Sequence, residues 1–143
     1  MKYEGLKLEN QLCFPLYALS REVIKLYKPL LDKYDMTYTQ YVTMMVMWEY
    51  EEIFFKDLGH KLHLDSGTLT PVVKKLELMN LVTKRRDESD DRQVKVALTD
   101  RGRALKDEMA EIPCRMSEKF SGNEALMLEL KNNLDSFLKI MFE

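Results

Sequence analysis

The chain has 143 residues, of which 45% are apolar and 32% charged, a balance typical of one soluble globular domain and not of a disordered chain. No stretch approaches the roughly 18 apolar residues that cross a bilayer, and no export leader opens the sequence, which predicts a cytoplasmic protein without a membrane partner. The net charge of −2 hides a basic middle, because residues 54–106 carry 12 Lys or Arg against 8 Asp or Glu. A basic centre between acidic ends is compatible with a DNA-binding protein.

The first predicted element is a long amphipathic helix. Its apolar positions recur at alternating steps of four and three, the spacing of a helix that packs against other helices. Pro15 indicates a first turn or a kink in this helix, and Pro29 a kink or a restart, because proline lacks the N–H of the helical ladder. The stripe consists of Leu12, Leu16, Leu19, Val23, Leu26 and Leu30.

The next predicted element is a helix over residues 38–51, with Thr37 as its cap. Its run of Val42, Met44, Met45, Val46 and Met47 indicates burial on most sides.

Two shorter helices are predicted over residues 54–79, with a break at residues 64–67. Alternating apolar residues then favour two strands around the charged loop of residues 87–92. One helix that begins after Thr99 and a last helix after Gly122 complete the chain.

This order of elements is that of a winged helix-turn-helix, so the predicted fold class is mainly α with a small β-wing. We expect a single domain, 1–143, in which residues 36–99 form the DNA-binding lobe and residues 1–35 and 100–143 a helical dimerisation region. The long apolar stripes have too little partner surface in one small chain, which predicts a homodimer on a palindromic double-stranded DNA operator.

Three sets of residues resemble the MarR family of bacterial regulators over essentially the whole chain. The N-terminal set is similar to the organic hydroperoxide repressor branch of that family and its staphylococcal relatives. The sets are Asp65-Ser66-Gly67-Thr68-Leu69-Thr70-Pro71; Asp90-Asp91-Arg92 with Val94-Lys95-Val96-Ala97-Leu98-Thr99; and Leu8-Glu9-Asn10-Gln11-Leu12-Cys13-Phe14 with Tyr17, Tyr27-Lys28-Pro29-Leu30-Leu31 and Thr37-Tyr38.

The resemblance implies a winged-helix repressor in which Cys13 senses peroxide. It further implies that Tyr27 and Tyr38 reach the thiol from the other subunit. It also implies that Arg92 enters the minor groove while Asp90 or Asp91 holds the arginine extended.

The start of the predicted recognition helix carries short hydroxyls, which suit both base edges and backbone phosphates near a helix N-terminus. Two lysines follow one to two turns later and suit phosphates, and the wing adds two arginines. Taken alone, such residues could equally cap a helix or form a solvated surface. The predicted DNA contacts are Ser66, Thr68, Thr70, Lys74, Lys75, Arg86 and Arg92.

Cys13 lines up with Tyr17 and Tyr27 at helical spacing. A buried cysteine beside apolar neighbours is usually inert, but phenols such as these and Tyr38 can donate hydrogen bonds to a thiolate, and a helix N-terminus near Pro15 would also favour the anion. Together with the resemblance, this predicts a redox-sensing thiol.

The fate of the oxidised thiol stays open at this point. Relatives of the resembled branch use either a low-molecular-weight thiol from solution or a second cysteine about a hundred residues later, and Cys114 has that separation from Cys13. Cys114 is therefore a candidate resolving thiol, with a packing or surface cysteine as the alternative.

The sequence also contains residues that other classes of function could use. His60 and His63 lie three apart but have no clear further ligands, so no metal site is predicted. No catalytic residue set or cofactor motif is present, which predicts no enzyme activity and no cofactor. The alternatives are a regulator that binds a phenolic or apolar ligand near its methionines and Phe54-Phe55, a thiol peroxidase, and a DNA-binding dimer without a switch.

Overall fold

Seven α-helices and one small antiparallel sheet make up the computed structural model, which describes residues 1–143. The chain divides into two compact units, residues 1–38 and residues 39–143. The helices are α1 (Cys13–Asp32), α2 (Tyr38–Tyr50), α3 (Phe55–Leu62), α4 (Ser66–Leu78), α5 (Asp100–Met109), α6 (Ile112–Glu118) and α7 (Glu124–Phe142). The strands are β1 (Glu52–Phe54), β2 (Val82–Arg86) and β3 (Val94–Leu98).

The first unit consists of two short 3₁₀ turns, Glu4–Leu6 and Leu8–Asn10, and the predicted long helix α1. Pro15 is the third residue of α1, where a missing N–H removes no helical hydrogen bond, so the interpretation as a first turn is confirmed. Pro29 lies inside the helix without ending it, so the predicted restart is wrong. In the apolar stripe, Leu12, Leu16 and Leu19 are exposed, and Val23, Leu26 and Leu30 are half-buried. The one buried residue of α1, Leu31, lies outside the stripe.

The core of the second unit lies where α2, α3, α4 and the sheet meet. Met44 and Met47 of α2 are fully buried, whereas the side chain of Met45 is 44% exposed, so the prediction of burial on most sides of α2 is wrong at this position. Its exposure follows from the helical period, which turns one residue in three or four away from any core. The other fully buried core residues include Leu58, Leu69, Val73, Leu76 and Val96.

The sheet has three strands in the order β1-β3-β2, so the prediction of two strands was incomplete. The additional strand β1 pairs with β3 antiparallel, with Ile53 opposite Val96. Three residues are too few to show an alternating pattern, and β1 exists because β3 offers it an open edge. The predicted hairpin is confirmed as β2 and β3, with Val82 opposite Leu98.

The predicted single helix after Thr99 is wrong, since two helices, α5 and α6, occupy this segment. Pro113 lies in the first turn of α6. Its ring would clash with the carbonyl four residues earlier, which is that of Met109, so the helix ends there and a new one begins. The last helix, α7, contains no buried residue. No helix has the length and apolar character that a membrane span requires.

The packing of α5 against Leu81 can be tested at Gly102. An alanine inside a helix is ordinarily about 1 kcal/mol more favourable than glycine. At Gly102, however, an added Cβ would lie 2.1 Å from the carbonyl oxygen of Leu81. We expect Gly102→Ala to lower the free energy of unfolding by roughly 1–3 kcal/mol, measured by urea denaturation.

The matched control is Gly67→Ala in α4, where the nearest atom to an added Cβ is Oδ1 of Asp65 at 3.4 Å. This variant should be as stable as the wild type or more stable. Equal stability of Gly102→Ala and the wild type would contradict the close approach of α5 to Leu81.

Candidate nucleic-acid interface and sensor thiol

The second helix of the helix-turn-helix, α4, has one buried and one exposed face. Leu69, Val73 and Leu76 are fully buried and fix the orientation of the helix. Because these positions follow the helical period, the opposite face points to solvent. All five predicted contacts of the helix are exposed, namely Ser66, which lies in its first turn, and Thr68, Thr70, Lys74 and Lys75.

Asp65 caps α4, a role that the sequence analysis missed. Its Oδ1 accepts a hydrogen bond of 2.8 Å from the backbone N–H of Thr68, and this bond holds the pKa of the Asp65 carboxyl below its usual value. The signal was present, because Asp is a favoured N-cap residue directly before a helical pattern. The hydroxyl of Thr70 donates to the carbonyl of Ser66 at 2.6 Å, so its oxygen is left as an acceptor.

The wing between β2 and β3 is closed by backbone hydrogen bonds. The N–H of Asp87 donates to the carbonyl of Gln93 at 2.8 Å, and the N–H of Gln93 donates to the carbonyl of Asp90 at 2.9 Å. Oδ1 of Asp90 accepts from both the backbone N–H and Nε of Arg92, at 3.0 and 3.2 Å. The Arg92 side chain is nevertheless 90% exposed, so its position is fixed near the backbone while its guanidinium faces solvent.

Arg86, at the end of β2, has a second role that the sequence did not indicate. Its Nη1 donates to the backbone carbonyl of Asp91 at 2.6 Å, across the wing. The residue is exposed, and its guanidinium braces the turn that carries Arg92.

Four charged residues at the base of the wing form ion pairs that the sequence analysis missed. Glu52 of β1 forms ion pairs with Arg85 at 2.9 Å and with Lys95 at 3.2 Å. Lys95 forms a second pair with Asp87, also at 3.2 Å. No sequence pattern predicts these contacts, because they depend on the strand β1.

Cys13 is the first residue of α1 and is exposed. Tyr17 lies one turn further along, with its ring 4.5 Å from the guanidinium carbon of Arg21.

The other two tyrosines form a pair of their own. The ring centroids of Tyr27 and Tyr38 are 4.7 Å apart. Burial raises the pKa of both phenols above the usual value, and for Tyr27 the neighbouring Tyr38 raises it further. Both hydroxyls therefore keep their protons at neutral pH and are able to donate hydrogen bonds.

Cys13 and Tyr27 are separated by fourteen residues of one helix, which is about 21 Å at 1.5 Å per residue. The structure therefore does not bring the thiol and this tyrosine together within one chain. Any hydrogen bond between them requires a second copy of the protein.

Cys114 is exposed and lies in the first turn of α6. Its neighbour Arg115 pairs with Glu111 at 3.5 Å.

The histidines and the phenylalanine pair are the remaining residues that the sequence singled out. His63 ends α3 in a left-handed conformation and stacks on Phe142 with ring centroids 4.2 Å apart. No group of three metal-ligating side chains includes it or His60. Phe54 and Phe55 each lie beneath a lysine, with Lys95 Nζ 5.2 Å and Lys84 Nζ 5.5 Å from the ring centroids.

A helix-turn-helix followed by an antiparallel wing, with a polar and basic exposed face on its second helix, defines a winged-helix transcriptional regulator. Comparison with known proteins agrees with this class. Residues 25–109 match the family described as transcriptional regulator SarA/Rot. The organic hydroperoxide resistance transcriptional regulator of Bacillus subtilis is 44% identical over 144 residues, covering 99% of this chain and 97% of the relative.

Two solved structures of AbfR, a protein of Staphylococcus epidermidis, are also similar. Reduced AbfR bound to DNA has 33% identity and a TM-score of 0.82 and covers 100% of both chains. A disulfide-formed state of AbfR has 32% identity and a TM-score of 0.70 and covers 97% of both chains.

The chain thus belongs to the SarA/Rot family of transcriptional regulators, which have the MarR-like winged-helix fold. The predicted fold class and the resemblance to the organic hydroperoxide branch are confirmed. None of these relatives is described as an enzyme.

Proposed function

We propose that this protein is a homodimeric repressor that binds a palindromic DNA operator and releases it when Cys13 is oxidised. The observation that carries the proposal is the division of α4 into a fully buried apolar face and an exposed face of hydroxyls and lysines. A helix held rigidly in this way can present its exposed face to the major groove.

Each subunit contacts DNA through two elements. The hydroxyls at the start of α4 contact base edges and phosphates, and Lys74 and Lys75 contact phosphates further along the backbone. The exposed guanidinium of Arg92 enters the minor groove, where narrow A·T-rich tracts concentrate negative potential. The similar structure of reduced AbfR bound to DNA supports DNA binding by a chain of this fold.

A second copy of the chain covers the apolar surfaces that one copy exposes. Exposed apolar side chains of this extent mark an interaction surface, and two-fold symmetry is the commonest solution for identical subunits. Dimerisation also places two α4 helices about one DNA turn, roughly 34 Å, apart. The residues that it covers include Leu12, Leu16 and Leu19 at and before the start of α1, and Leu126, Leu130, Phe137 and Met141 of α7.

The sensor is the thiol of Cys13, hydrogen-bonded by Tyr17 and by Tyr27 and Tyr38 of the other subunit. The thiolate attacks the distal oxygen of an organic hydroperoxide, and an S–O bond forms as the O–O bond breaks. The sulfur becomes a sulfenic acid, and the departing alkoxide takes a proton from water and leaves as an alcohol. A second thiol then attacks that sulfur, forming a disulfide and releasing water. The similarity to an organic hydroperoxide resistance regulator supports this chemistry.

Oxidation lowers the affinity for DNA by changing the relative position of the two α4 helices. A bulkier sulfur at a packed site breaks the hydrogen bonds from the tyrosine pair, and α1 is a rigid helix of 20 residues that transmits the displacement. Affinity falls when the two α4 helices no longer fit successive major grooves.

We infer that the second thiol is Cys114 of the other subunit, and not a low-molecular-weight thiol. Both cysteines are exposed, and AbfR forms a disulfide. After one equivalent of cumene hydroperoxide per subunit, we expect non-reducing electrophoresis to show a covalent dimer in the wild type and none in Cys114→Ser. A wild type that stays monomeric on the gel would assign the second step to a small thiol.

The function as a whole is tested by a gel shift with the upstream region of the protein's own gene. We expect a shifted band that disappears with one equivalent of cumene hydroperoxide per subunit and persists with phenolic acids. Release by phenolic acids alone would instead favour a ligand-controlled regulator, for which a groove of about 370 Å³ lined by Tyr41, Met45, Trp48 and Met109 is the candidate site. Rapid consumption of many equivalents of peroxide would indicate a thiol peroxidase.

A further inference from the structure

A network of charges joins all three strands at the base of the wing. Lys95 of β3 lies at its centre, with Nζ 3.2 Å from Oε1 of Glu52 and 3.2 Å from Oδ1 of Asp87. The stem of Lys95 also places Nζ 5.2 Å from the ring centroid of Phe54. The side chain of Lys95 is therefore held from three directions.

The register of β2 and β3 creates a charge repulsion that Glu52 offsets. Arg85 and Lys95 are directly opposite each other on β2 and β3. Like charges in such a pair repel and destabilise the ladder. Glu52 offsets this repulsion because its two carboxylate oxygens pair with the two cations separately, at 2.9 and 3.2 Å.

Asp87 extends this network from the sheet into the wing turn. It is 9% exposed, in a loop whose other acidic residues are half-buried or exposed. Its Oδ2 accepts a hydrogen bond from the hydroxyl of Ser89. Its backbone N–H donates to the carbonyl of Gln93, which is the residue that follows Arg92.

The same turn ends in the residues that present Arg92. The N–H of Gln93 donates to the carbonyl of Asp90, and the Asp90 carboxylate holds the backbone N–H and Nε of Arg92. From Lys95 to Arg92 the contacts are continuous, through Asp87, Gln93 and Asp90. The ion pair with Lys95 fixes the backbone position of Asp87, and that position is linked by hydrogen bonds to the place where the guanidinium of Arg92 leaves the wing.

We propose that Asp87, anchored by Lys95, is a positioning residue that sets the orientation of Arg92 towards DNA. This inference rests on the proposed function, in which Arg92 contacts the minor groove. In this role the buried Asp87 strengthens binding to DNA, whereas its negative charge alone would weaken it.

The direction of the change in DNA affinity distinguishes a positioning role of Asp87 from the effect of its charge. By charge alone, removing any carboxylate from the wing should tighten binding, because repulsion by phosphate is lost. Asp91 is the matched control, since only its backbone carbonyl is used, by Arg86, and alanine retains that carbonyl. We expect Asp91→Ala to bind an operator duplex as the wild type does or more tightly, and Asp87→Ala to bind about 10-fold more weakly.

The measurement is fluorescence anisotropy of a labelled operator duplex at fixed salt, with the full-length reduced protein. Circular dichroism and urea denaturation establish that each variant is folded. Asp87→Asn keeps the volume of the side chain and loses its charge. It replaces Asp87→Ala in the measurement if that variant is unfolded, and it should also weaken DNA binding.

A double variant separates this inference from the proposed function. If Asp87 acts through Arg92, Asp87→Ala should cause no further loss of affinity in the Arg92→Ala background. Full additivity of the two losses, or an Asp87→Ala variant that binds as tightly as Asp91→Ala, would overturn the positioning role while leaving the DNA contact of Arg92 intact. Wild-type affinity in Arg92→Ala alone would overturn both.

Discussion

Replacing Cys13 with serine is expected to leave the affinity of the reduced protein for its operator unchanged and to abolish release by organic hydroperoxide. Serine is close in size and its hydroxyl still accepts hydrogen bonds from tyrosine, so the packed site is preserved. Its oxygen is not oxidised, so no sulfenic acid or disulfide forms. In the wild type, oxidation should lower affinity roughly 5- to 150-fold, the usual range of coupling between two sites.

Titration of a labelled operator with and without one equivalent of hydroperoxide measures this effect. Cys114→Ser is the matched control, because it removes the other thiol of the chain. It should retain peroxide sensitivity at the sulfenic acid step, with release less complete than in the wild type. Peroxide-induced release by Cys13→Ser equal to that of the wild type would place the sensor elsewhere.

Replacing Arg92 with alanine is expected to weaken operator binding about 10- to 100-fold, as for loss of one strong groove contact in each subunit. The fold should not change, because the Arg92 side chain is 90% exposed and contacts only Asp90. Each dimer loses two cations that face DNA, so the dependence of log K on log salt should become shallower by about 2.

Lys119→Ala is the matched control for this prediction. It removes the same charge from the exposed C-terminal end of α6, outside the proposed interface. Its operator affinity and salt dependence should equal those of the wild type. Equal losses in the two variants would mean that net charge, and not the position of Arg92, determines binding.

Periodicity predicted most of the fold, because α1, α4 and the β2–β3 hairpin each have an apolar face that recurs at a regular step. The strand β1 was missed because three residues carry no period, and only pairing with β3 creates it. The break between α5 and α6 had a signal in Pro113, which the prediction of a single helix after Thr99 did not take into account.

The candidate site was predicted in part for the same reason. The exposed row of α4 follows from the helical period, and Arg92 with Asp90 follows from a motif only two residues apart. The contacts of Lys95 with Glu52 and Asp87 join residues far apart in sequence, so no local pattern contains them. The spacing places Cys13 and Tyr27 on one face of α1, but their separation of about 21 Å along the helix shows that one chain cannot join them.

The central claim is that oxidation of one thiol per subunit reversibly removes the protein from DNA. It is tested most directly by following one sample through anisotropy with its operator, first reduced, then after one equivalent of cumene hydroperoxide per subunit, then after dithiothreitol. We expect high affinity, a loss of at least about 5-fold, and recovery of the initial affinity, since a sulfenic acid or disulfide is reducible. Unchanged affinity after mass spectrometry has established oxidation of Cys13 would contradict the account.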